Sequence, residues 1–293
     1  MIASPFQQPH ILESPEHFLA RIGTIFARFD SATQDSGNIS YGVQIGGERW
    51  FVKTAGLADD PAPLLPHNQR VELLRNAVRL HRSVGEHPTL PKLHQVIEFP
   101  DGPLLVYGWC NGELLWAPRH LRDDPASAFQ RFRRLPAAAI FSALDSLFNL
   151  HLIASQRGWI AVDLYDGSLL YDFATSQLHV VDLDHYHHEP FRNTMGRMFG
   201  SARFMAPEEL QLGEMIDQRT TLFTLGRIAL WLLGDGAINP QTFRGTSAML
   251  QVFRQATEPE PELRFQSVES FWKEWRKAIE GCRMLNAECR IEE

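Results

Sequence analysis

Two aspartates stand where chemistry could be done. Asp163 follows Trp159-Ile160-Ala161-Val162, and Asp182 follows Leu178-His179-Val180-Val181, two apolar runs that read as short strands. Between the aspartates, Ser168-Leu169-Leu170-Tyr171-Asp172, a polar turn (Ala174-Thr175-Ser176-Gln177) and the second run form a β-hairpin pattern with an acidic residue at each open end. Two carboxylates held close together suit general-base work and divalent-metal binding, because Mg²⁺ takes few protein carboxylates and otherwise prefers phosphate and water. A lysine, Lys53, ends a third strand-like run, Arg49-Trp50-Phe51-Val52-Lys53.

The elements that must position these residues can be read in order. Apolar side chains at Phe18, Leu19, Ile22, Ile25 and Phe26 predict a helix over 15–28 after Ser14-Pro15. A polar loop over 30–38 leads into Ile39–Ile45, and a Gly46-Gly47 turn joins that run to the Lys53 run as a hairpin. A Pro-rich connection over 59–66 precedes a helix over 69–84, and Leu93–Phe99 with Leu104–Tyr107 reads as a second hairpin. A long helix is expected over 136–157 and a last amphipathic helix over 266–280.

The chain has 293 residues, 44% hydrophobic and 22% charged, enough for a packed core in one two-part domain or two small ones. A net charge of −7 argues against a nucleic-acid or anionic-membrane partner reached by bulk electrostatics. Cys110, Cys282 and Cys289 lack metal-ligand spacing, and an odd count fits a reducing compartment. The first residues show no basic start and apolar core of a signal peptide, and no run is expected to approach the ~18 apolar residues of a membrane helix. The expected location is therefore the cytoplasm. His185, His187 and His188 are expected in a mobile segment and not at a metal, since nothing pairs with them at zinc-site spacing.

In order and spacing, the Asp163–Asp184 stretch resembles the catalytic loop and DFG segment of protein kinases. The HRD motif reads Ala161-Val162-Asp163, DFG reads Asp182-Leu183-Asp184, and the metal-binding Asn is Ser168. Phe51-Val52-Lys53-Thr54 looks like the family's lysine strand. Gly85-Glu86-His87-Pro88 resembles the turn after the helix that carries a Glu paired with that lysine; alignment puts Asn76 or Ala77 there, with Glu72 one turn earlier. Gly108–Leu114 looks like the hinge, and Leu150-His151 like the end of the helix before the catalytic loop. Gly200–Glu208 resembles the end of an activation segment with Ala-Pro-Glu intact, Thr221 replaces the Asp of the following helix, and Arg264 matches the Arg that pairs with the Glu. The chain is thus similar to the protein kinase-like superfamily, as a bacterial Ser/Thr kinase-like protein with degenerate glycine loop, HRD and DFG motifs.

The resemblance implies an α+β, two-lobed kinase-like fold: a small β-rich N-lobe over 1–110, with leading helix, five-stranded sheet and one further helix, and a larger helical C-lobe over 111–293. It implies ATP and Mg²⁺ as cofactors and transfer of phosphate to a Ser or Thr hydroxyl of a protein or small-molecule acceptor. Asp163 would be the catalytic base, Lys53 would hold the α- and β-phosphates, and the loop carrying Gly37 and Asn38 would cover them. Asp182 and Ser168 would hold the metal, with Asp166 or Asp184 as possible helpers. Glu208 and Arg264 would form a buried structural pair. Val162 in place of the HRD Arg implies activity that needs no activation-segment phosphate. The altered loop, the missing helix Glu, Ala161 and Ser168 fit the alternative of a pseudokinase acting as a nucleotide-binding or scaffold module. A small-molecule kinase of the aminoglycoside/choline phosphotransferase type is a third reading.

Overall fold

In the computed structural model, which describes residues 6–33, 36–60 and 64–288, the chain divides into two units, Met1–Asn111 and Gly112–Glu293. Both mix helix with antiparallel strands, so the protein is α+β. Gln34, Asp35, residues 61–63 of the Pro-rich connection, the Cys282 side chain and Cys289 lie outside the described residues.

The first unit opens with α1 (Pro15–Ile22), capped by the Ser14 hydroxyl, which accepts the His17 N–H at 3.3 Å. The helix expected over 15–28 stops there. Gly23 is extended (φ −165°, ψ −168°), and Thr24–Phe29 forms strand β1, with exposed and half-buried residues alternating. Ile25 and Phe26 fit a helical spacing and a strand alternation equally well, and the partner strand decides. β1 pairs with β2 (Ile39–Ile45), followed by β3 (Glu48–Thr54), helix α2 (His67–Val84), β4 (Leu93–Phe99) and β5 (Gly102–Gly108). The antiparallel sheet has the order β1-β2-β3-β5-β4.

Strand alternation sorts this sheet into two faces. Val52, Val106, Tyr41 and Leu104 pack with Phe18 and Leu19 of α1. On the other face Leu105, Tyr107 and Ala55 pack with Leu74, Ala77 and Val78 of α2. Lys53 directly follows Val52, so it takes the α2 face, with Ser40 of β2 and Leu105 of β5 as its cross-strand neighbours.

The second unit begins with β6 (Glu113–Leu114) and continues through α3 (Ala128–Arg133), α4 (Ala137–Gln156) and β7 (Trp159–Ile160). The hairpin follows as β8 (Leu169–Asp172) and β9 (Gln177–Val180), and β6 adds to its edge in the order β6-β8-β9. Two short ribbons come next, β10 (His187–His188) on β7 and β11 (Phe191–Arg192) on β12 (Met215–Ile216). Helices α5 (Gln218–Leu233), α6 (Ser247–Ala256) and α7 (Val268–Glu288) complete it. Phe148 of α4 meets Phe271 and Trp275 of α7 edge-on, with ring centroids 4.9 and 5.2 Å apart. Such buried aromatic pairs add about 0.5–1.5 kcal/mol beyond their area.

One expectation about apolar runs needs correcting. Helix α4 is long and apolar enough, at 20 residues and mean hydropathy 1.5, to cross a membrane by length and composition. Ile140, Leu144, Leu147 and Phe148 are fully buried within the unit, where α4 packs on α5, α7 and β9. A helix covered on several sides keeps little of the polar face that would mark it as a core element.

Candidate functional site

Asp163 and Asp182 leave the same end of the β8–β9 hairpin. The ladder runs from Asp172↔Gln177 at the turn to Leu169↔Val180, and the Val181 N–H donates to the Ser168 carbonyl at 2.9 Å at its mouth. Asp172 shapes the turn by accepting the Ala174 N–H at 2.8 Å. Both aspartates are left-handed, with φ of 60° and 61°. That region costs an ordinary residue roughly 1–2 kcal/mol, and aspartate is among the few that visit it. Unfavourable backbone at two carboxylates flanking one hairpin is the kind of local strain that gathers at functional sites.

The loop bearing Asp163 is fixed from two sides. The Ala161 N–H donates to the Thr221 hydroxyl of α5 at 2.9 Å, so Thr221 anchors the strand that delivers Asp163. The Ser168 hydroxyl donates to the Asp163 carbonyl at 3.3 Å, and Ser168 is buried. Its proton is engaged with its own loop, and its lone pairs stay available to a metal. His185 brings Nε2 to 3.9 Å from the Asp163 carboxylate.

Asp166 is held by an ion pair. Arg203 grips both its oxygens with Nη2, at 3.0 and 2.7 Å, while its guanidinium lies over the Phe204 and Trp231 rings at 4.8 and 5.4 Å. Burial pushes the Asp166 carboxyl up, and Arg203 opposes that shift. Asp184, the other expected helper, is buried. Among the described residues no group of three or more His, Cys, Asp or Glu could hold a metal ion.

The segment after Asp184 makes specific contacts. His151 donates from Nδ1 to the Leu147 carbonyl at 2.8 Å, so its Nε2 accepts the Tyr186 hydroxyl at 2.8 Å. His187 and His188, expected in a mobile stretch, pair with β7; His188 packs on Trp159 and His187 stacks on Phe191 at 3.9 Å. Farther on, Asn193 donates to the Gly196 and Glu208 carbonyls.

Glu208 and Arg264 meet as two parallel bonds of 2.6 and 2.9 Å, with side-chain exposures of 5% and 0%. Thr220 donates to the same carboxylate at 2.8 Å, and Arg264 also reaches the Glu258, Arg219 and Pro259 carbonyls. Every charge in the cluster is met, as a buried pair requires. Beside it, the buried Glu209 accepts the Ala206 N–H at 2.7 Å, and burial pushes its carboxyl up to about 8.

In the first unit, Lys53 is 9% exposed on the α2 face. The hydroxyl of its neighbour Ser40 is buried with no hydrogen-bond partner among the described residues. Gly37 is left-handed at φ +78°, and Asn38 is buried, its N–H on the Ser36 hydroxyl at 3.3 Å. Glu72 is exposed; the buried face of α2 carries Arg70, Leu74, Ala77 and Val78 instead. The hinge-like Cys110 is a free thiol that burial pushes up to about 11.

The residues that sequence reasoning passed over are Arg70, the Asp166–Arg203 pair and the His151–Tyr186 bond. Their partners are backbone carbonyls or lie 35 and 37 residues away, with no motif to join them. No protein-family model matches the chain, and no curated protein is significantly similar to it.

Proposed function

We propose that the chain is an ATP- and Mg²⁺-dependent phosphotransferase of protein kinase type, with a two-lobed kinase-like fold, acting on Ser or Thr hydroxyls. The observation that carries this reading is the paired left-handed aspartates, Asp163 and Asp182, at one end of an anchored hairpin. The donor set fits the nucleotide: a largely buried lysine suits phosphate, and a pair of carboxylates suits Mg²⁺, which takes few protein carboxylates. Bound ATP with Mg²⁺ supplies the phosphoryl group and neutralises its charge. Asp163 would orient the acceptor hydroxyl and take its proton, Lys53 would hold the α- and β-phosphates, and Asp182, helped by Ser168, Asp166 or Asp184, would hold the metal. The buried Glu208–Arg264 pair supports a protein kinase over a small-molecule kinase, since it pins the activation-segment motif to α5 and the turn before α7. The Arg203–Asp166 ion pair ties that segment to the catalytic loop, which supports phosphorylation-independent activity. A cytoplasmic location belongs to the same reading.

The pseudokinase reading keeps one specific support, the hydroxyl of Ser168 where the kinase family places an amide oxygen, a better metal ligand. Thermal unfolding with ATP, with and without Mg²⁺, separates the two. Ligand at 100 times its dissociation constant stabilises by ~2.7 kcal/mol. A Mg²⁺-dependent rise in Tm that Asp182→Asn abolishes is the expected result. A rise without Mg²⁺ dependence favours the scaffold, and no rise contradicts a working nucleotide site.

A further inference from the structure

Arg70, in the first turn of α2, is a cation that makes no ion pair with a carboxylate among the described residues, and it is 1% exposed. Its Nη1 donates to the Gly37 carbonyl and to the Ala55 carbonyl at 2.6 Å; its Nη2 donates to the Leu57 carbonyl at 2.9 Å. A buried guanidinium is costly unless its donors are met, and here backbone oxygens meet them. Nε finds no partner among the described residues. Burial pushes the group's pKa down, with the charge of Asp60 opposing.

The three carbonyls belong to two segments that matter. Gly37 lies in the loop before β2, and Ala55 and Leu57 follow Lys53 out of β3. Thr54 ties the same segments again, its hydroxyl donating to the Ile39 carbonyl at 2.9 Å and accepting the Gly56 N–H at 3.2 Å. Gly56 is left-handed at φ +71°, and a Cβ there would stand 2.1 Å from the Gly37 oxygen. Only glycine lets the two backbones pass so closely.

We infer that Arg70 is a positioning residue that couples α2 to the lysine strand and to the phosphate-covering loop, doing through backbone carbonyls what a helix Glu would do through the lysine amine. The inference rests on the kinase reading above for its purpose, and on the hydrogen bonds alone for its mechanics. Moving α2 pulls on the base of the loop and on the end of β3 together. Lys53 and the Gly37–Asn38 turn therefore keep one relative geometry for a nucleoside triphosphate.

Hydrogen exchange and ATP–Mg²⁺ binding on Arg70→Met, with Leu74→Ala as control, test this. Leu74 is fully buried on the same helix but touches neither segment through hydrogen bonds, so it reports a merely structural loss. Below the melting range of both variants, Arg70→Met is expected to speed exchange at Gly37, Asn38, Gly56 and Leu57 at least tenfold, leaving β4–β5 unchanged. It is also expected to weaken ATP–Mg²⁺ binding at least tenfold, while Leu74→Ala does neither. Exchange that rises uniformly over the first unit in both variants, or stays at wild-type values in Arg70→Met, overturns the inference. If Arg70→Met does not fold, Arg70→Lys is read by the same criteria, since it keeps the charge and loses the fork. Failure of the wild type to bind ATP would overturn the kinase reading, while the exchange pattern still judges the tie.

Discussion

Among the described residues two arginines are buried almost completely, Arg70 in the first unit and Arg264 in the second, at 1% and 2% exposure. Arg264 faces a carboxylate and three carbonyls; Arg70 faces three carbonyls alone. The difference decides what happens when each is removed. Losing Arg264 strands the Glu208 charge in a dry site, where it can neither reach water nor find another cation. Losing Arg70 strands neutral carbonyls, and those of Gly37 and Leu57 are only partly enclosed and can take water instead. The second unit uses its arginine as a lock, and the first uses its arginine as a tie.

The largest effect should therefore come from Arg264→Met or Glu208→Ala, each costing about 3–5 kcal/mol in urea unfolding. A Glu208→Leu/Arg264→Met double variant should recover most of that loss, because no charge is left alone. A double variant as unstable as the singles would break the contrast. Arg70→Met should cost less, about 1–3 kcal/mol. A loss equal to that of Arg264→Met would mean the carbonyls cannot rehydrate, and the two sites would be of one kind.

Glu209 sharpens the comparison through pH. Its carboxyl is raised from 4.5 to about 8 in the folded state, so the folded protein binds its proton more tightly than the unfolded chain does. The resulting stability is fully present below 4.5 and is lost as pH rises through about 8. Unfolding midpoints should fall across that window in the wild type, and Glu209→Gln should flatten the fall. An unchanged slope would mean that the Ala206 N–H and its surroundings hold Glu209 charged. Thr221→Val comes next, at about 1–3 kcal/mol, from an Ala161 N–H left without its acceptor. The smallest effect belongs to Lys273→Ala, which removes an exposed pair with Glu269 and should cost under about 0.5 kcal/mol.

The same contrast explains what could be read in the sequence. Glu208 and Arg264 were legible because both partners are charged side chains set in recognisable motifs. Arg70 was not, because a carbonyl oxygen belongs to every residue and leaves no mark. Asp166 looked like a helper for the metal from its place beside Asp163, and only the fold brings Arg203 to it. The β8–β9 hairpin was legible from its alternation and its Ala174–Gln177 turn. The two-residue strands β10, β11 and β12 are too short for any period to show, so the histidine segment read as loose. β1 was lost to the helix before it because Ile25 and Phe26 satisfy both periods.

The central claim is that Asp163 and Asp182 serve phosphate transfer, and the direct measurement is release of γ-phosphate from labelled ATP onto Ser- and Thr-bearing acceptors. The wild type should transfer label in the presence of Mg²⁺. Asp163→Asn should lose at least about 10²-fold in rate while still binding ATP–Mg²⁺, as expected for a positioned general base. Asp182→Asn should lose both binding and transfer. Transfer that survives Asp163→Asn unchanged, or a wild type that binds ATP–Mg²⁺ and never passes the phosphate on, would contradict the account.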